Sequence, residues 1–309
     1  MSILVVGSVA LDTLETPFGR ATDIVGGSAV HFSASASLFA PVQLVAVVGE
    51  DYPRACLDFL SERSVDLAGL ETRSGESFRW SGRYGHDLST AHTLETRLGV
   101  FADFHPRIPD TFRSPAVVFL GNIDPVLQLE VLDSVGEPEI TACDTMNFWI
   151  ESKRLEFVRV LERVDVLFVN DAEIRQLAEE PNLMRAARWV QERGPGRVVV
   201  KKGEHGAVLF DGDEMFFVPG YPLEQTSDPT GAGDSFAGGV LGFLHYVGDS
   251  SRASLRRAAV YGSAVASFCV EDFGVSRVER LTSDEVTDRV RELRDMTHFE
   301  IVSSPSGVS

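Results

Sequence analysis

The sequence contains few cysteines and no long apolar run, and both shortages exclude classes of protein. Its three cysteines, Cys56, Cys143 and Cys269, are far apart and form no CxxC pair, which argues against a disulfide scaffold or a zinc site. No stretch approaches the roughly 18 uninterrupted apolar residues of a transmembrane helix, and the first apolar run is too short for a signal peptide. We therefore expect a soluble, reduced, cytoplasmic protein that does not enter a membrane.

Basic side chains are also scarce. The 309 residues carry 28 Lys and Arg against 46 Asp and Glu, which gives a formal net charge of −18. Only three of the basic residues are lysines, namely Lys153, Lys201 and Lys202. Because the long-range field of such a chain repels polyanions, nucleic acid and anionic membranes are not expected partners. A small anionic ligand such as a nucleotide remains compatible with this charge if local groups bind it.

Short apolar segments alternate with longer amphipathic ones along the chain. Strands are expected at 3–7, 44–48, 116–120, 140–143, 164–169 and 198–201. Helices are expected at about 28–39, 53–63, 125–134, 152–163, 171–179 and 182–193. A hairpin at 207–218 and helices near 232–246, 252–270 and 283–294 follow. This order predicts an α/β fold with a doubly wound, mainly parallel sheet flanked by helices.

Residues 78–100 interrupt this order. Aromatic residues alternate there with polar ones, and a Gly-His-Asp turn follows; the aromatic residues are Phe78, Trp80 and Tyr84. Such a period of two predicts a β-hairpin rather than a helix. We expect it to form a small inserted β-sheet, a lid, whose aromatic side chains could cover a substrate. The lid, mainly from about 78–100, would belong to one domain over residues 1–302, and 303–309 would be a frayed, flexible tail.

The most informative motif is DPTGAGDSF at residues 228–236, directly before an apolar helix. A loop of small residues that opens into a helix exposes backbone N–H groups at the positive end of the helix dipole, where an anion binds. Asp234 would stand in the first helical turn, beside these amides. The loop is not a Walker loop, because the GxxxxGK[ST] pattern is absent.

This motif resembles the C-terminal signature of the ribokinase-like, or PfkB-type, carbohydrate kinase family. Four further segments match in family order: GSVALD with Asp12, GGSAVHFSASAS from Gly26, NDAE at 170–173 as the NxxE motif, and VVVKKGEHGAVLF around Lys201. The resemblance covers nearly the whole chain, and the insertion at 78–100 corresponds to the substrate lid of the family. It implies a ribokinase-like fold with a small β lid.

The resemblance also implies roles for the matching residues. The residues implied in catalysis are Asp234, as general base, and Gly231, Ala232 and Gly233, as amide donors to the phosphoryl group. The residues implied in ATP binding are Asn170, Lys201, Gly203 and Gly206. The residues implied in acceptor binding are Asp12, Gly26, Gly27 and His31. The candidate metal ligands are Glu173, for Mg²⁺ through water, and Asp228 and Thr230, for a monovalent cation such as K⁺.

The residues on the nucleotide side have structural alternatives. Asp234 could cap its helix, and Asn170 with Glu173 has the spacing of a capping box. Lys201 could be a solvated strand end, the usual environment of a lysine. Its neighbour Lys202 leaves open which of the two lysines would attract phosphate.

The residues on the acceptor side have alternatives too. A carboxylate at Asp12 would suit vicinal hydroxyls, because it offers two acceptor oxygens and no donor. It could instead be a turn aspartate after the first strand. His31 stands where many family members have asparagine, which argues against assuming ribose as the substrate. On its own it could equally be a histidine on a helix surface.

The resemblance implies an enzyme that transfers the γ-phosphoryl group of Mg·ATP to a primary hydroxyl of a sugar. A nucleoside kinase of the same family, with the base under the lid and the ribose 5′-hydroxyl as acceptor, is an alternative that the sequence does not separate. A catalytically silent sugar-binding or regulatory protein is another, because a fold does not fix a function. The intact base and anion loop favour an enzyme. A homodimer formed through the lid is a further expectation.

Overall fold

A computed structural model describes residues 2–88 and 90–300. The predicted tail at 303–309 lies outside these residues. The strands are β1 Ile3–Val6, β2 Ala10–Thr16, β3 Gly19–Gly26, β4 Val42–Gly49, β5 Val65–Arg73, β6 Phe78–Tyr84, β7 Ala91–Arg97, β8 Val117–Leu120, β9 Ile140–Cys143, β10 Val166–Asn170, β11 Arg197–Lys201, β12 Ala207–Asp211 and β13 Glu214–Val218. The helices are α1 Ser28–Ala36, α2 Asp58–Glu62, α3 Pro125–Ser134, α4 Asn147–Ser152, α5 Arg154–Leu161, α6 Asp171–Ala178, α7 Leu183–Gln191, α8 Ala232–Val247, α9 Arg252–Cys269, α10 Ser276–Glu279 and α11 Ser283–Thr297. Short 3₁₀ helices lie at Arg54–Leu57, Gly99–Asp103, Asp110–Phe112 and Gly203–His205.

The large sheet explains why its strands are continuously apolar. Among the described residues, nine strands pair in the order β13-β12-β11-β10-β9-β8-β1-β4-β5. Pairing is parallel from β11 to β5, and β12 and β13 run antiparallel at one edge. Ile3 and Val5 of β1 point into one apolar core and Leu4 and Val6 into a second, so both faces are covered. The predicted α/β fold with a doubly wound, mainly parallel sheet is confirmed.

Most predicted elements are present, with small shifts at their ends. The predicted helix at 53–63 is divided into a 3₁₀ helix and the short α2. Strand β5 was not predicted, because its sequence VDLAGLETR mixes charged and small residues with apolar ones at the sheet edge. Within residues 2–88 and 90–300, the helices include none that is long and apolar enough to cross a membrane.

The small sheet is the predicted lid, and residues outside 78–100 also contribute to it. Within the described part of the chain, its four strands pair in the order β3-β2-β6-β7. Strands β2 and β6 are parallel, and the other two pairings are antiparallel. The insertion at 78–100 supplies β6 and β7, whereas residues 10–26 supply β2 and β3. Strand β2 was not predicted from its sequence ALDTLET, because two of its buried positions hold the polar residues Asp12 and Thr16.

Polar and aromatic contacts join the lid to the large sheet. Asp51, which follows β4, accepts hydrogen bonds from the main-chain N and the Oγ of Ser77 at 2.7 and 2.6 Å. Arg79 of β6 forms an ion pair with Asp51 at 2.8 Å. Phe78 stacks on Phe101 with ring centroids 5.3 Å apart. Phe78 therefore packs against the 3₁₀ helix that follows the lid strands.

Candidate active site

Several of the predicted site residues meet at the carboxyl edge of the parallel strands, where ligands of open α/β sheets bind. Asn170 and Lys201 are the last residues of the neighbouring strands β10 and β11 and are register partners. Asp144 directly follows β9. The amino terminus of α8, with Asp234 in its first turn, faces the same space, because Lys201 lies against it.

The loop before α8 presents free amide groups beside a lysine. Gly231 is the N-cap residue, with a left-handed φ of 74°, and no side chain caps the helix. Among the described hydrogen bonds, none uses the main-chain N–H of Gly231 or Gly233, whereas that of Ala232 donates to Pro229 at 3.3 Å. A Cβ at position 233 would lie 2.8 Å from the Nζ atom of Lys201, so this ammonium group lies against the loop. Free amides, a helix dipole and an ammonium group together fit a phosphate.

The structure shows which of the two neighbouring lysines lies in the site. The side chain of Lys201 is 17% exposed and lies in the site. Lys202 belongs to the turn that follows, where its main-chain N–H donates to the carbonyl of Gly206 at 2.8 Å. Gly203 begins the 3₁₀ helix of this turn, and a Cβ at position 206 would lie 2.1 Å from the carbonyl oxygen of Val218. Gly203 and Gly206 therefore shape the turn through their backbone.

Asp234 has the properties of a general base. It is the third residue of α8, and a helix amino terminus favours a carboxylate there. The residue is only partly buried by surface area, but protein atoms surround its carboxyl closely. This desolvation, and next the charge of Asp144, raise the pKa of Asp234 to about 7, although Lys201 acts in the opposite direction. A general base works best with a pKa near the operating pH.

Asp144 is a site residue that sequence reasoning missed. It is 4% exposed, and its Oδ2 atom lies 2.5 Å from the Nζ atom of Lys201. Burial disfavours the charged form of Lys201, but the charges of Asp144, Glu173 and Asp234 outweigh burial and raise its pKa. The lysine therefore stays an ammonium ion. The available signal was an aspartate directly after the apolar strand ITAC, a position at the ligand-binding edge of a parallel sheet.

Asn170 and Glu173 form the capping box that the sequence left as an alternative. The Asn170 side chain accepts hydrogen bonds from the main-chain N–H groups of Ala172 and Glu173, and Glu173 accepts one from the main-chain N–H of Asn170 at 2.9 Å. Desolvation raises the pKa of Glu173 to about 7, and Lys201 opposes this shift. Capping occupies one carboxylate oxygen, so the other could still face metal-bound water. The predicted metal role of Glu173 stays a prediction.

On the acceptor side, Asp12 is a buried lid residue rather than a turn aspartate. It lies in β2, is 5% exposed, and accepts no hydrogen bond from the described residues. A Cβ at position 26 would lie 2.0 Å from its Oδ2 atom, so only glycine leaves room for this carboxylate. Burial first, then the charges of Asp228 and Asp234, raise the pKa of Asp12 to about 7. An unpaired carboxylate close to the base suits a hydroxyl-bearing ligand.

His31 is neither on a helix surface nor accessible in the cleft. It is 1% exposed, and a Cβ at position 231 would lie 2.3 Å from three of its ring atoms, so the anion loop covers the imidazole. Burial lowers the pKa of His31 to about 4, which keeps the ring neutral. Its Nδ1 atom lies 3.7 Å from the sulfur of Cys269, and its Nε2 atom has no partner among the described groups. In this structure His31 packs against the loop before α8 and supports it.

The remaining predicted residues build the loop and the start of α1. The two carboxylate oxygens of Asp228 accept the main-chain N–H groups of Thr230 at 2.8 Å and Gly274 at 3.0 Å. The Thr230 hydroxyl lies 3.0 Å from the hydroxyl of Tyr84, so the lid contacts the loop. Gly27 is the N-cap residue of α1, with a φ of 97°. The predicted cation role of Asp228 and Thr230 stays a prediction.

Trp80 forms a flat surface beside Asp12. The two residues are register partners on β6 and β2, so their side chains share one face of the lid. The indole lies across Gly82, because a Cβ at position 82 would be 2.2 Å from its Cη2 atom. Its Nε1–H donates to the hydroxyl of Thr93 on β7 at 3.2 Å. This arrangement fixes an aromatic plane on the face that carries the Asp12 carboxylate.

Comparisons with known proteins give the family and the fold of the chain. The pfkB family carbohydrate kinase profile matches residues 12–280. A cytidine kinase of Thermococcus kodakarensis is 31% identical over 246 residues, which are 78% of this chain and 87% of that protein. A solved nucleoside kinase of Burkholderia thailandensis, in complex with inosine, has a TM-score of 0.78 at 17% identity and covers 94% of this chain and 98% of its own. A putative ribokinase II of E. coli, in complex with ATP and Mg²⁺, has a TM-score of 0.77 at 17% identity and covers 94% of this chain and 99% of its own.

Proposed function

Since the chain belongs to the pfkB family of carbohydrate kinases and is a kinase with the ribokinase-like fold, we propose that it phosphorylates the 5′-hydroxyl of a nucleoside with Mg·ATP. The observation that carries the proposal is the set of groups at the carboxyl edge of the sheet. The base Asp234, free amides at Gly231 and Gly233, and the ammonium of Lys201 surround one space. Phosphoryl transfer needs positioned charge and donors more than covalent chemistry, and this set provides them.

In the proposed reaction, Asp234 takes the proton of the acceptor hydroxyl, and the oxygen of that hydroxyl forms a bond to the γ-phosphorus of ATP. The bond between the γ-phosphorus and the oxygen that leaves with ADP breaks at the same time. The amides of Gly231 and Gly233 and the ammonium of Lys201 stabilise the charge on the transferring group. Mg²⁺, when bound, neutralises phosphate charge, and Glu173 would orient its water shell. ATP and Mg²⁺ are the ligands of the E. coli structure of the same fold.

Asp12 and Trp80 would bind the acceptor. The unpaired Asp12 carboxylate can accept hydrogen bonds from two vicinal ribose hydroxyls. The fixed indole of Trp80 offers a plane on which a nucleobase can stack, which a free sugar would not need. The names of the cytidine kinase and of the inosine complex support the same acceptor class. A sugar kinase is the second candidate, because Asp12 would bind the vicinal hydroxyls of any sugar.

A panel assay tests the proposal. Purified protein is incubated with Mg·ATP and cytidine, uridine, adenosine, inosine, ribose, fructose or inositol, and the products are identified by mass spectrometry. We expect a nucleoside 5′-monophosphate, formed with a kcat/KM at least tenfold above that for any free sugar. Preferred phosphorylation of a sugar would reject the nucleoside assignment. ATP consumption without any phosphorylated acceptor would reject the kinase role of this site.

A further inference from the structure

Asp144 has no part in the proposed reaction and yet lies among its charged groups, Lys201, Glu173 and Asp234. We propose that Asp144 is a positioning residue, which holds the Lys201 ammonium against the anion loop and keeps it from pairing with the base Asp234. The inference rests on the proposed function, because it assigns Asp234 the role of base. It is carried by the rigidity of Asp144 and by the imbalance of charge around Lys201.

Four contacts fix Asp144. Its main-chain N–H donates to the carbonyl of Leu120 at 2.9 Å, and its carbonyl accepts the side-chain amide of Gln128 at 3.0 Å. One carboxylate oxygen accepts the main-chain N–H of Thr145 at 2.8 Å, and the other lies 2.5 Å from the Nζ atom of Lys201. Gln128 is itself fully buried. The carboxylate therefore has one place and one orientation, as an anchor for a flexible lysine requires.

The charges around Lys201 show what the anchor prevents. The titratable groups that act on Asp144 or share its surroundings are Lys201, Glu173, Asp234 and the Cys143 thiol. Three carboxylates thus compete for one ammonium ion. Glu173 is already held by its capping box, and within the described residues Lys201 has an ion pair with Asp144 and none with Asp234. Without Asp144, the ammonium would turn to Asp234 and hold the base in a pair.

The test is the variant Asp144→Asn, whose amide oxygen can still accept the Thr145 amide. The chain offers a matched control in Asp124→Asn. Asp124 also accepts a main-chain N–H, that of Val126 at 2.9 Å, and also pairs with a lysine, Lys153, at 2.5 Å, but it follows β8 outside the charged cluster. Both variants are compared with the parent protein for melting temperature, kcat, KM for Mg·ATP and the pH dependence of turnover.

We expect Asp144→Asn to lower kcat by roughly 10- to 100-fold, the cost of a misplaced catalytic group. The acid limb of turnover, the loss of rate as Asp234 is protonated, should move to lower pH. The charge of Asp144 no longer raises the pKa of Asp234, and a carboxylate next to an ammonium ionises more easily. In a Lys201→Gln background, Asp144→Asn should change kcat less than twofold at a pH above the acid limb, because Asp234 is then ionised in both proteins and the placement of that lysine no longer matters. The control should keep the parent kcat and acid limb.

Three outcomes would overturn the inference. They are a parent-like kcat and acid limb in Asp144→Asn, a loss of activity equal to that of the control, and a full additional loss in the Lys201→Gln background. If Asp144→Asn does not fold, Asp144→Glu moves the carboxylate by one methylene, and a parent-like kcat would then reject the positioning role. A parent that phosphorylates sugars instead rejects only the nucleoside acceptor, and the same comparison on that sugar still decides the role of Asp144.

Discussion

The pH dependence of turnover gives the sharpest test of the base. Desolvation and the charge of Asp144 raise the pKa of Asp234 from 3.8 to about 7. An aspartate with that pKa is about one tenth ionised at pH 6, half ionised at pH 7 and nine tenths ionised at pH 8. Because only the ionised form can accept the proton, turnover should rise about tenfold between pH 6 and pH 8. An aspartate with its ordinary pKa would give a flat profile.

The variant Asp234→Asn distinguishes the ionisation of Asp234 from that of other groups in the site. Asparagine keeps the size of the side chain and suits a helix terminus nearly as well as aspartate, but it cannot take the proton. We expect kcat to fall by roughly 10²–10⁴-fold, the usual contribution of a positioned general base, and the residual activity to lose the acid limb of Asp234. The affinity for Mg·ATP should stay near the parent value, whereas the melting temperature should rise more at pH 8 than at pH 4, because keeping Asp234 buried costs stability as pH rises from about 4 to 7.

The assay measures kcat/KM for Mg·ATP between pH 5.5 and 8.5 in about half-unit steps, with saturating Mg²⁺ and acceptor so that bound acceptor sets the ionisation of Asp12. The matched control is Asp284→Asn, an exposed aspartate in the first turn of α11, which carries the same helix-dipole effect away from the site. A flat parent profile would refute the raised pKa. A folded Asp234→Asn protein that retains more than about a tenth of the parent kcat would refute the role as base.

Three further variants test the acceptor side and the metal role. Asp12→Asn should raise the acceptor KM roughly ten- to a hundred-fold, since a charged hydrogen-bond partner is lost. It should also raise the melting temperature more at pH 8 than at pH 4: the pKa of Asp12 is about 7 in the folded chain, so ionising it costs stability as pH rises from about 4 to 7. An acceptor KM within twofold of the parent would make Asp12 structural. Trp80→Ala should raise the KM for a nucleoside at least fivefold and that for ribose less, because a flat aromatic base stacks on the indole more extensively than a sugar does; equal changes for both would contradict the stacking role. Glu173→Gln should raise the Mg²⁺ concentration needed for half-maximal rate and lower kcat without lowering the melting temperature, since glutamine also completes a capping box. An unchanged Mg²⁺ titration would leave Glu173 as a cap alone.

Much of the fold and part of the site followed from local patterns. Apolar runs predicted six parallel strands, because a strand covered on both faces must be apolar throughout. The glycine loop before α8 predicted an anion site, since a helix amino terminus carries its free amides wherever the helix lies. The resemblance to the PfkB-type family added Asp12, Asn170 and Lys201. These signals lie within short segments, and a sequence records them directly.

Other features depended on contacts between segments far apart in the chain. Asp144 and Lys201 are 57 residues apart, and Asp144 becomes recognisable as a site residue only where the sheet places β9 and β11 on the same edge. His31 is buried because the anion loop packs over it, which no feature of α1 could show. Half of the lid came from residues 10–26, because parallel pairing of β2 with β6 joins strands that are not consecutive in the chain. A sequence thus determined the local elements and their chemistry, whereas tertiary packing decided which charges share one desolvated space and therefore have shifted pKa values.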